Sequence, residues 1–193
     1  MVGQIWAPSA PRPSTGGTLQ PTLSKGDREA LQRGDILLST RSHGFSGGQV
    51  SATLAFALRP QILWDHLAHF PRWVDYLPDL VHSEVLPAAA NGRGRVRQVG
   101  RKCILGFTAE AEVCLQVEAL APYRLRFELE RGSLAEFTAA FTLTPWRQGT
   151  LVHFIGQAVP LLPIPGFVVE QTMRYGLPMN LRHMRQAIEG LAR

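Results

Sequence analysis

Apolar residues recur at every second position through the middle of this chain and at every third or fourth position at its end, so strands come first and a long helix last. Val50, Ala52, Leu54, Phe56 and Leu58 alternate with smaller or polar neighbours and predict a strand that stops at Pro60. Ala109, Ala111, Val113, Leu115, Val117 and Ala119 alternate with Glu110, Glu112, Gln116 and Glu118, which sets one side against water and the other against an apolar interior. Leu125, Phe127 and Leu129 repeat the pattern, as do Phe137, Ala139, Phe141 and Leu143. The span 150–159 is apolar on both phases. With Val152 and Phe154 inward, Leu151, His153 and Ile155 fall outward and form an apolar patch that a second copy of the chain, or the N-terminal leader, would cover. Shorter strands are expected over 35–40 and 81–87, and Asn91-Gly92 turns the chain into a basic strand over 93–106.

From Pro165 to Arg193 the period changes. Val169, Met173, Leu177, Leu181, Met184, Ile188 and Leu191 stack on one face of a helix, with Glu170, Arg174, Arg182, Arg185, Gln186 and Glu189 on the other. Pro178 offers no N–H to the carbonyl of Arg174, which predicts a kink or two successive rods. Pro60 starts a short helix that Pro71 ends, and a second short helical piece carries Trp73, Val74, Tyr76 and Leu77. Ser24, with Asp27 in the capping-box position, starts a helix that Gly34 ends. The glycines at 44, 47 and 48 open an alternating strand rather than a helix, which excludes a phosphate loop.

Successive strands joined by short turns imply one antiparallel sheet in an α+β fold. Six to seven strands are expected to curve around the long kinked C-terminal helix, with two short helices after the first long strand closing one end. The division expected is a flexible Pro/Gly-rich leader over 1–24, a short helix and strand over 25–44, and one domain over 45–193. One helix across a strongly curved sheet leaves room for an apolar pocket.

Charge and cysteines narrow the class without choosing a function. A net charge of +5 is a modest bias toward anionic partners. Cys103 and Cys114 lie in strand-like runs and form neither a disulfide framework nor a zinc site, which fits a reduced, cytoplasmic protein. No apolar run reaches the ~18 residues of a membrane span.

The run VSATLAFALRPQILWDHLAHFPRWVDYLPDLVHSEVL (50–86) resembles the opening of the polyketide cyclase/dehydrase and lipid-transport family, which is related to coenzyme Q-binding and START-like proteins of the SRPBCC superfamily. GRVRQVG (94–100) is similar to its following strand, FTAAFTLTPWRQGTLVHF (137–154) to its late hairpin, and the last thirty or so residues to its terminal helix. The resemblance implies a helix-grip fold with a hydrophobic cavity between sheet and terminal helix. It also implies a lipophilic ligand, such as a lipid, quinone, isoprenoid or polyketide-like molecule, and in a minority of members cyclisation or dehydration.

Read for chemistry, the inward phases are almost wholly apolar, and the carboxylates Glu110, Glu112, Glu118, Glu128, Glu130 and Glu136 take the outward phase. A non-catalytic carrier is therefore expected, with no cofactor, no metal and no catalytic residue. A polyketide cyclase or dehydratase stands as the alternative and an interaction module using the outer patch as a further one. Phe127, Phe141, Phe154, Met173, Leu177 and Met184 are the expected cavity lining, and Tyr76, Tyr175 and Asn180 are the polar groups expected to orient a ligand. His66 and His69 are three apart on a helix, but no third metal ligand has a readable spacing. Arg93, Arg95, Arg97 and Arg101 share one strand face, a stripe suited either to transient contact with an anionic membrane surface or to cross-strand pairing with glutamates. Nucleic acid is not expected, because no aromatic stacking platform accompanies this charge.

Overall fold

The computed structural model describes residues 23–104, 107–161 and 164–192, with side chains described outside 102–109. The leader expected over 1–24 thus lies outside the described residues except at its last two positions. Its end already carries a helix signal. Ser24 Oγ accepts from the Asp27 N–H at 3.1 Å while an Asp27 carboxylate oxygen accepts from the Ser24 N–H at 3.0 Å, a reciprocal capping box that starts α1 (Lys25–Gln32).

The chain then forms β1 (Leu37–His43), β2 (Gly47–Phe56), α2 (Pro60–Leu67), a single 3₁₀ turn (Phe70–Arg72), α3 (Trp73–Tyr76) and β3 (Leu80–Leu86). β4 (Gly94–Ile104), β5 (Phe107–Leu120), β6 (Arg124–Gly132), β7 (Leu134–Trp146), β8 (Gly149–Pro160) and α4 (Gly166–Leu191) complete it. All pairings are antiparallel, in the order β1-β2-β8-β7-β6-β5-β4-β3, so the sheet has eight strands rather than six or seven. The added strand is β1, which the sequence pattern placed ahead of the domain and which pairs along its whole length with β2. The segment from α2 to α3 carries the chain from β2 to β3 at the far edge, and β8 returns to close on β2.

Alternation fixes the faces as expected: Val50, Ala52, Leu54 and Phe56, Leu125 and Phe127, and Ala139, Phe141 and Leu143 are buried, while the residues between them are more exposed except Thr53. On β8, Val152 and Phe154 are inward and Ile155 is exposed. Leu151 departs from the expected outer patch, because it is only 8% exposed. α4 is one helix through Pro178 and packs mainly on β1, β2 and α3. Leu181, Met184 and Ile188 bury its C-terminal half.

The N-terminal half of α4 sits on backbone. A β-carbon built on Gly48 would lie 2.9 Å from Met173 Sδ, 3.1 Å from Val169 Cγ1 and 3.3 Å from the Glu170 amide nitrogen. The last of these cannot move without moving the helix. Glu170, opposite, accepts hydrogen bonds from Thr40 and Ser42 on β1 at 3.2 and 2.8 Å. Replacing Gly48 by Val is expected to cost about 1–3 kcal/mol through overpacking, measured as a lowered urea midpoint with an unchanged slope.

Candidate functional site

The concave face divides into a packed end and a looser end. At the packed end Trp73 stands edge-on to Phe127 and Phe141, with ring centroids 5.5 and 5.8 Å apart, and Phe70 meets both Trp73 and Phe127 at 5.8 Å. Phe141 continues the cluster to Phe154 at 4.8 Å. These T-shaped and tilted contacts suit the quadrupoles of the rings and fill the space with side chains. Phe127, Phe141, Phe154 and Met184, all expected to line a cavity, are 2, 5, 9 and 2% exposed and belong to this core. Periodicity identified their face correctly; it could not show that Phe70 and Trp73 would be folded over it.

The looser end lies under the N-terminal half of α4. Val113, Leu129 and Phe137 point inward there but are only partly buried, and so are Met173 and Leu177 on the helix. Three polar groups join this end. Gln98 shares the inward phase of Val96 on β4 and is 8% exposed; its amide donates to Ser83 Oγ on β3 at 3.4 Å, a long bond, and Ser83 is equally buried. Gly100, two residues on in the same phase, faces Asp79, whose carbonyl would lie 3.6 Å from a β-carbon there. Asn180 of α4 donates from Nδ2 to Asp79 Oδ2 at 3.0 Å. Its Oδ1 is enclosed and has no hydrogen-bond partner among the described residues.

Sequence reasoning singled out Asn180 but missed Ser83, Gln98 and Asp79. Gln98 was legible as the polar member of an inward phase in RVRQV, whereas Ser83 and Asp79 become visible only through strand pairing and the packing of α4. Tyr76 is fully buried, and its hydroxyl lies 3.0 Å from His66 Nδ1 with the rings edge to face, so it is tied to α2. Tyr175 is 71% exposed, which corrects its expected inward place: it lies about 100° of helical turn away from its neighbour Gly176, which is buried.

The arginine stripe lies on the convex face with a carboxylate for each member. Arg93 meets Glu128 at 2.9 Å, Arg95 grips both oxygens of Glu130 at 2.6 Å, and Arg97 bridges Glu112 and Glu84 at 2.8 and 3.1 Å. Arg101 meets Glu110 at 2.6 Å. Hydrogen bonds from these guanidiniums hold the carboxyls of Glu84, Glu112 and Glu130 below the usual range and push Arg97 up. Beside the C-terminal part of the helix, a cleft of about 830 Å³ is bordered by Trp146, Arg185 and Glu189. Two of its charged groups bond to backbone: Arg185 donates to the carbonyls of Gly34 and Ala55, and Glu189 accepts from the Ala57 N–H.

Two histidines add a pH response. Burial lowers the pKa of His66, with the Arg72 charge adding to it, and burial lowers that of His153, whose Nδ1 lies 2.9 Å from Thr53 Oγ1. The folded state therefore binds protons less readily than the unfolded chain. Stability from these sites is full above the ordinary value of about 6.5 and is lost as pH falls toward the lowered folded values. Urea unfolding at pH 7.5 and 5.5 should show a loss at the lower pH that is smaller in the His66→Gln/His153→Gln double variant.

Comparison with known proteins places this geometry. The family model described as polyketide cyclase / dehydrase and lipid transport matches residues 48–193. No curated protein sequence matches the chain. Among solved structures, a START superfamily protein from Mycobacterium smegmatis is similar at 20% identity and a TM-score of 0.59, covering 74% of this chain and 95% of that one. A STAR-related lipid transfer protein from Xanthomonas axonopodis gives 16% identity and a TM-score of 0.62, over 79% and 93% of the two chains. The Zhui aromatase/cyclase of a Streptomyces species gives 14% and 0.57, over 80% and 94%. At such identities these likenesses establish the shared fold. No described helix is long and apolar enough to cross a membrane.

Proposed function

The chain belongs to the polyketide cyclase / dehydrase and lipid transport family, and from that premise we propose that it binds one lipophilic small molecule at the looser end of the concave face and carries it without chemical change. The observation that supports this reading most is the character of the inward-facing groups there. Val113, Leu129, Phe137, Met173 and Leu177 are apolar yet not fully buried, an unusual expense for inward-facing side chains unless something else covers them.

The polar groups beside them support binding over catalysis. Ser83, Gln98 and Asn180 are a hydroxyl and two carboxamides, which orient a ligand by hydrogen bonds but do not exchange protons near neutral pH. Asp79, the carboxylate beside them, is engaged by the Asn180 amide at 3.0 Å, and the other pair that resembles an acid and base, Tyr76 and His66, has its phenol sealed in the core. A cyclase or dehydratase needs a titratable group within hydrogen-bond reach of the substrate.

Native mass spectrometry of the purified protein, followed by organic extraction, tests the carrier reading directly. The expected result is one lipophilic molecule per chain, released unchanged. Leu177→Trp, which fills the looser end from the helix side, is expected to weaken uptake of the fluorescent apolar probe phenylnaphthylamine about tenfold or more, with the unfolding midpoint little changed. Unaltered uptake by that variant would place the ligand elsewhere.

A further inference from the structure

We infer that the ligand is an alcohol or phenol, and that it donates its hydroxyl to Asn180 Oδ1. The inference rests on the carrier reading above and names the chemistry that the looser end selects. A carboxylate only accepts hydrogen bonds, so the 3.0 Å contact between Asn180 and Asp79 Oδ2 fixes which end of the amide faces Asp79: it must be Nδ2. Oδ1 is thereby turned the other way. It is fully enclosed, yet no donor among the described residues reaches it.

A buried carbonyl oxygen without a donor is costly, and native proteins rarely keep one without a use. Its neighbourhood supplies the rest of the specification. Asn180 stands three residues after Leu177 and one before Leu181, so the helix on either side of it presents apolar side chains. A molecule meeting both needs an apolar body and one donor. Quinones, ethers and esters bring acceptors to an acceptor, and so does a fatty carboxylate, which only accepts. Alcohols and phenols satisfy the site. Gln98 and Ser83, joined by their long 3.4 Å bond, lie on β4 and β3, the strand that Asp79 precedes, and offer a second polar contact to a ligand with more than one hydroxyl.

Equilibrium dialysis of the full chain with naphthol and with methoxynaphthalene isolates the donor, since the two differ by a methyl group on oxygen. Naphthol is expected to bind about tenfold more tightly, as one net hydrogen bond allows, even though methoxynaphthalene is the more apolar molecule. Asn180→Leu, close in volume and without the acceptor, should abolish that preference. Equal or reversed affinities in the unsubstituted protein would overturn the inference while leaving the carrier reading intact, as would a preference that survives Asn180→Leu. Binding of neither compound would overturn both. The comparison on the unsubstituted protein needs no variant, so it decides the matter even if Asn180→Leu does not fold.

Discussion

The close seat of α4 on β2 is the contact on which the rest of this structure depends. A helix can lie that near a strand only where the strand presents no side chain, and Gly48 gives it backbone to rest on, with Val169, Met173 and the Glu170 amide all within about one atomic diameter of the missing β-carbon. The preceding turn is drawn in as well, since the Gly166 N–H at the first turn of the helix donates to the Phe45 carbonyl at 2.9 Å. With the N-terminal half fixed over β1 and β2, the inner face of the helix looks across the sheet toward β3 and β4. That is how Asn180 comes to meet Asp79, 101 positions earlier in the chain.

The two ends of the concave face differ in how completely side chains fill them. Rings of Phe70, Trp73, Phe127, Phe141 and Phe154 complete a core at one end by packing on one another. At the other end the apolar surface is less covered, and a ligand of the kind proposed would bury it. Loss of a ligand should then loosen the N-terminal half of α4 more than its C-terminal half, where Leu181, Met184 and Ile188 are fully packed. Pro178 separates these halves and already lacks one helical hydrogen-bond donor.

How much of this the sequence disclosed depended on the range of the interaction. Strand phases, the Ser24 capping box and the terminal helix were legible because period and capping are local properties. The fate of an inward face was not. Phe127 and Phe141 read the same whether they line a cavity or meet Trp73, because that contact joins α3 to β6 and β7 and depends on how the chain crosses from β2 to the opposite edge. The arginine stripe shows the same boundary: its face followed from alternation, but which glutamates it meets became visible only with the strand order. Arg95 reaches Glu130 across an intervening strand, 35 positions away. Such exposed pairs add little stability individually.

Asn180 shows best why a site of this kind hides from sequence reading. On a helical wheel it is one more polar residue near a proline, and an asparagine there has an ordinary use, capping a carbonyl that the proline leaves free. Its amide nitrogen is instead committed to Asp79, and that single bond determines where its oxygen points. Polar specificity in an apolar site thus arises from a residue outside the site, which orients the one inside it. On the proposed carrier reading, the same logic separates binding from catalysis. A carboxamide held by a carboxylate is a fixed acceptor with no proton to exchange, so it can discriminate among ligands by what they donate while leaving them chemically unchanged.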